Sequence, residues 1–263
     1  MLRCGDVLAV NELSDPEKMN KEERVIHAQL MKLHRRCGHP GNRALVNLLK
    51  TREVDAHVIR IAQHLRCDEC QKMKVSEPHN VVSLDRCEQL WHTLQLDHID
   101  FQWNQEMIHV LVMTDEASQY TVIQEMHRRP VEESRNSTTA EVIKAIELSW
   151  VMRHGYPSRI RLDPEGAFRG TALGNWAAEC GIEMDVTPGE DHAQIGVVER
   201  MGGVLKHHAH VMLQGEPHMD PFRALVLMAA AHNENQFVNG YTPMQWAFGR
   251  QYSHDRRLFD GGH

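Results

Sequence analysis

The sequence predicts an α/β protein, a mixed sheet flanked by helices and preceded by a small helical unit built on a metal. Three observations lead there. Apolar, partly alternating runs rich in Val, Ile and Leu fill residues 94–126 and recur in two short later segments, which is strand patterning. Helical patterning frames those runs on both sides. Two His and two Cys at metal-ligand spacing lie in the helical stretch ahead of the first strand.

Residues 1–15 carry no clear pattern. Residues 16–36 read as a polar helix with apolar points at Val25, Ile26, Leu30 and Leu33. Pro40-Gly41 breaks it, and two short helices follow near 42–50 and 55–65, ending at Cys67. Residues 71–90 are mostly polar and read as a linker. The pattern then changes, and 94–101, 107–114 and 121–126 read as strands. A helix over about 138–153 has Ser137 or Thr138 as its N-cap and stops at Gly155 and Pro157. A short strand, 159–162, runs into Asp163. A helix at 171–180 and a strand at 182–187 come next. The remainder reads as helices near 193–213, 219–235 and 242–248, the last capped by Thr242 with Pro243 at its first position. The division is residues 1–15 unassigned, 16–74 a zinc-binding domain, 75–90 a linker, 91–252 a core and 253–263 a tail.

Composition is that of an ordinary globular chain: 263 residues, 41% apolar and 25% charged. The net charge of −7 argues against a broadly basic surface, yet it suits a site that gathers carboxylates. Six cysteines (4, 37, 67, 70, 87 and 180) are too sparse and uneven for a disulfide scaffold, which points to a reducing, intracellular compartment. No apolar run approaches the roughly 20 residues of a membrane span, so no membrane partner is expected.

His34, His39, Cys67 and Cys70 form His-x4-His and Cys-x2-Cys. Imidazole nitrogens and thiolates suit tetrahedral Zn²⁺, and four protein ligands make a structural site with no open position. With 19 His in the chain, a nearby pair is common, and Cys37, His27 and His64 compete as ligands.

Asp163, in IRLDPEGAF, and Glu199, in IGVVERMGG, have 35 residues between them, and Asp97 lies upstream in TLQLDHIDF. Three carboxylates converging from distant segments are what a two-metal phosphoryl-transfer site requires, and hard oxygens are what Mg²⁺ prefers. Each acid has a rival or a plainer role. Asp100 lies three residues past Asp97, on the opposite side of an extended strand. Glu165 rivals Asp163, and Glu199 could be an ordinary helix-surface acid. Lys206 lies seven residues after Glu199, nearly two helical turns, so the two share a face. Arg200, His207, His208 and His210 add a modest basic stretch, and Gly202-Gly203 implies either a close backbone approach to DNA or a local kink.

Gln95-Leu96-Asp97, Asp163 with Phe168, and Gly196-Val197-Val198-Glu199 resemble the integrase catalytic core of retroviruses and LTR retrotransposons. LHRRCGHPGNRAL, with the four His and Cys, resembles the His-His-Cys-Cys domain that precedes such cores. The resemblance covers roughly residues 30 to 250. It implies an RNase-H-like core and catalysis by Asp97, Asp163 and Glu199 with Mg²⁺ or Mn²⁺, two ions in all, Asp97 bridging both. It also implies one structural Zn²⁺ and a DNA-contacting role for Lys206, with Arg200 beside it. The partners would be DNA, as element ends and target, and further copies of the chain, with the nucleus as the place of action. One departure stands out: Pro164 and Glu165 follow Asp163 where the family usually has Gly two residues on, so Gly166 comes one place late. The chain ends at Gly261-Gly262-His263, so the family's C-terminal DNA-binding module is not expected within it.

The expected function is therefore that of a retrotransposon integrase or polyprotein fragment, catalysing 3′-end processing and strand transfer. The alternative is a catalytically inactive, domesticated module that binds nucleic acid through its zinc domain. A nuclease of RNase H type would share the carboxylates but leave the zinc motif unexplained.

Overall fold

The computed structural model describes residues 19–72, 89–163, 168, 171–186, 196–238 and 240–249. Four helices come first: α1 (Lys21–Arg36), α2 (Asn42–Thr51), α3 (Ala56–Gln63) and the short α4 (Asp68–Lys72). Asn20 starts α1 with a capping box, its side chain accepting from Glu23 N–H at 2.9 Å while Glu23 Oε2 accepts from Asn20 N–H at 3.0 Å. Leu30, Leu33, Leu45, Leu49 and Ile61 form the centre of a separate small core for these helices.

The next three strands, β1 (Thr93–Trp103), β2 (Glu106–Asp115) and β3 (Thr121–Pro130), form an antiparallel meander. α5 (Thr139–Ile146) runs on through a wide π-helical turn, Glu147–Val151, into a last turn, Met152–His154. Then come β4 (Arg159–Leu162), α6 (Thr171–Glu179), β5 (Glu183–Val186), α7 (Gly196–Gly215), α8 (Pro221–Asn235) and α9 (Pro243–Phe248). The sheet order is β3-β2-β1-β4-β5, with β4 parallel to β1 and β5 parallel to β4. The expected strands and the expected mixed sheet are all present.

Strand alternation divides the core into two layers. Ile99 and Phe101 of β1, with Ile108, Val110 and Val112 of β2, pack under α7 and α8. Leu94, Leu96, Leu111, Met113, Ile160 and Leu162 face the other way, against α5, α6 and the fully buried Trp150. Asn233 fastens α8 to β3: its amide oxygen accepts from Thr121 N–H at 2.8 Å and its Nδ2 donates to Thr121 O at 2.7 Å. The helical N-terminal unit touches the same helix. Gly38, with φ +74°, lies so close to α8 that an added methyl would meet Met228 Sδ at 2.9 Å and Ala231 Cβ at 3.2 Å. The expected N-terminal segment 1–15, residues 75–88 of the expected linker and the expected tail 253–263 lie outside the described residues.

Candidate functional site: a His-Cys metal centre and a carboxylate cleft

The backbone explains how His39 returns to His34. α1 ends at Cys37, and two successive left-handed residues, Gly38 (φ +74°) and His39 (φ +55°), fold the chain back. His39 N–H then donates to His34 O at 2.9 Å. Cys67 stands just before α4, where its carbonyl accepts from Gln71 N–H at 3.0 Å, and Cys70 lies one turn on. Asn42 joins the halves by donating to Gln63 O and Leu65 O, both at 3.0 Å.

The four donor atoms consequently lie within 4.8 Å of one another. His34 Nε2 is 3.3 Å from Cys70 Sγ, and His39 Nδ1 is 3.4 Å from both sulfurs. Around a tetrahedral zinc with ordinary Zn–S and Zn–N lengths, nitrogen–sulfur edges are about 3.5 Å. The residues therefore fit Zn²⁺ in number, chemistry and spacing. Burial drives the Cys70 thiol up to about 12 and raises Cys67 as well. Burial also takes His34 down to about 4 and lowers His39, so these imidazoles keep free lone pairs at neutral pH. A divalent cation would invert the thiol preference. Cys37 stands outside this cluster, buried in the small apolar core. His27 and His64 also stand outside the cluster.

The second group lies on the α7 face of the sheet. β1 and β4 are in register up to Leu96 beside Leu162, so Asp97 and Asp163 follow at the same height on neighbouring strands. Asp97 alternates with Gln95 and Ile99 and so points toward α7, whose first turn carries Glu199. Asp97 is half-buried and Glu199 exposed. The Asp97 carboxyl is raised to about 6, chiefly by burial and next by Glu199, with Asp163 adding less and Lys206 opposing. The three acids and the lysine thus share one electrostatic neighbourhood. The carboxylates are less tightly gathered than the His-Cys cluster, which is the one such group among the described residues.

The rival Asp100 is engaged elsewhere, and Asp115, at the end of β2, has its own partners. Asp100 bonds His109 Nδ1 at 2.8 Å and Arg129 Nη2 at 3.1 Å on the opposite face. Asp115 is buried and accepts from Trp91 N–H and from both the N–H and hydroxyl of Ser118. Arg200 is exposed. Pro164, Glu165 and Gly166, where the sequence departs from the integrase pattern, lie outside the described residues. Two features escaped sequence reading. Arg161, two residues before Asp163, pairs with the buried Glu116 at 3.0 Å and with Asp185 at 2.8 Å. Gln95 Oε1 accepts from Val198 N–H at 3.3 Å, from strand to helix.

No protein-family model matches the chain, and no curated protein matches it in sequence. Solved structures do match. A chain of the simian T-cell lymphotropic virus intasome, solved with PP2A regulatory subunit B56 gamma, has a TM-score of 0.60 at 18% identity, covering 84% of this chain and 73% of that one. The HTLV-2 integrase catalytic core with magnesium gives 0.49 at 19% identity, covering 60% of this chain and 97% of that one. The BIV integrase catalytic core gives 0.46 at 20% identity, with 60% and 95% covered. The fold assignment rests on the first of these: the chain has the RNase-H-like fold of the retroviral integrase core, with a helical His-Cys unit ahead of it.

Proposed function

We propose, with the integrase-core fold as premise, that this chain cuts and joins DNA by metal-dependent phosphoryl transfer, processing the 3′ ends of an element and transferring them to target DNA. The observation that supports the reading is that Asp97 within β1, Asp163 just past β4 and Glu199 in the first turn of α7 share one electrostatic neighbourhood with Lys206.

Asp97, Asp163 and Glu199 would together hold two Mg²⁺ or Mn²⁺ ions. When bound, the ions supply activation of the attacking oxygen and stabilisation of the leaving one. The chain's own residues do the rest. Asp97 must be ionised to act as a ligand, and its raised carboxyl sets that requirement near pH 6. Lys206 offers a cation to a DNA phosphate on the same face, and the exposed Arg200 offers a second. The His-Cys centre would hold one Zn²⁺ and keep residues 16–74 folded as a separate domain beside a core at 91–252. Work on chromosomal DNA would place the protein in the nucleus, as an assembly of several copies holding two DNA ends.

A second reading is a catalytically silent, zinc-dependent nucleic-acid-binding module, favoured by the tighter gathering of the His-Cys ligands relative to the carboxylates. The test is strand transfer of a labelled oligonucleotide bearing the element's end, with Mg²⁺ or Mn²⁺, comparing wild type with Glu199→Gln. Joining that disappears in the variant supports the enzyme. DNA binding without joining, by the folded zinc-loaded protein, supports the module.

A further inference from the structure

α7 meets β1 at two points. At the first, Gln95, a side chain only 1% exposed, presents Oε1 to Val198 N–H at 3.3 Å. That N–H is in the first turn of α7, where helix donors have no partner within the helix. At the second point, Gly202 lies against Ile99: a methyl added at Gly202 would sit 2.7 Å from Ile99 Cγ2. Such a distance is a clash, so only glycine permits this approach. Gly202 is buried, and the same methyl would be 3.8 Å from Asp97 Oδ2.

The two contacts bracket the carboxylates. Along the strand, Gln95 and Ile99 flank Asp97 on one face; along the helix, Val198 and Gly202 flank Glu199 in the chain. We infer that Gln95 and Gly202 are positioning residues, which together set the helix against the strand and so fix the separation of Asp97 from Glu199. This inference rests on reading those acids as the divalent-ion ligands. Sliding or lifting α7 moves Glu199 relative to Asp97, whereas Asp163, fixed through β4, stays in place. An open helix terminus is thereby satisfied by the strand that carries a ligand, so capping and ligand spacing share one bond.

The test uses the full chain, zinc-loaded, and measures Mn²⁺ binding by electron paramagnetic resonance together with the denaturant midpoint. Gln95→Met keeps the length and removes the acceptor. Its expected effect is a loss of Mn²⁺ affinity of about 10- to 100-fold, the range typical of residues that orient metal ligands. Gly202→Ala should do the same, and Gly202→Ala with Ile99→Ala, which removes the clashing methyl, should recover most of the loss. Rescue by the double variant is a result that general destabilisation does not produce, because Ile99→Ala alone removes core packing. Full affinity in Gln95→Met and in Gly202→Ala overturns the inference. If Gln95→Met does not fold, the Gly202 and Ile99 pair decides alone. Glu199→Gln is the control: undiminished Mn²⁺ binding there defeats the carboxylate reading itself, a different failure from the one that defeats Gln95 and Gly202.

Discussion

Asp97 gives the carboxylate cleft a pH signature. Its carboxyl is raised to about 6, chiefly by burial and then by Glu199. A carboxyl raised in the folded state holds its proton to higher pH than in the unfolded chain. Metal-free stability therefore falls as pH climbs from about 4 to about 6, by at most about 3 kcal/mol. Asp97→Asn should flatten that slope in denaturant titrations taken across the window. Divalent-ion affinity should move the opposite way, rising through pH 6 and then levelling, since only the ionised group binds. The Glu116–Arg161 pair is a residue-scale feature of another kind. Glu116 is 3% exposed, so removing the cation alone strands a buried charge, which makes the pair hard to alter singly.

At the scale of elements, α5 begins with a capping box in which Thr138 Oγ1 accepts from Glu141 N–H and Glu141 Oε2 accepts from Thr138 N–H. Thr138→Ala should cost about 1 kcal/mol, read as a lowered denaturant midpoint with unchanged slope. This start was legible because Ser137-Thr138 preceded a helical pattern. β4 was legible to the residue because Gly155 and Pro157 ended the helix before it and Asp163 closed it. α4 was not, because five residues are too few to show a period. The π-helical turn inside α5 was not either. It changes the hydrogen-bond step without changing composition, and Arg153 Nη1 covers the carbonyls of Leu148 and Ser149 at 2.9 Å. The His-Cys site could be read because each ligand pair is local. Gln95, Gly202 and Arg161 could not, since each takes its meaning from a partner brought near only by strand or helix pairing. The sequence reading of Gly202-Gly203 is a close backbone approach to DNA or a kink. The close approach exists at Gly202 and is to Ile99, while Gly203 has open space.

Across the whole molecule, the His-Cys unit and the sheet are two cores joined at Gly38 and α8. Zinc uptake at pH 7 should release about two protons, one from each of Cys67 and Cys70, because both thiols are neutral without the ion. Calorimetry in buffers of differing ionisation enthalpy measures that number. Chelation should raise hydrogen exchange through α1–α4 and spare the β1–β2 ladder, because the sheet has its own apolar layers on both faces. The loop lengths closed by the two sites differ greatly. The His-Cys contacts span 28 to 36 positions, whereas the bond that seats α7 on β1 spans 103. A ribosome adds roughly 5–20 residues per second. Cys70 therefore precedes Glu199 by on the order of ten seconds of synthesis. A nascent chain halted between them would hold its zinc ligands complete while lacking the last of the three acids.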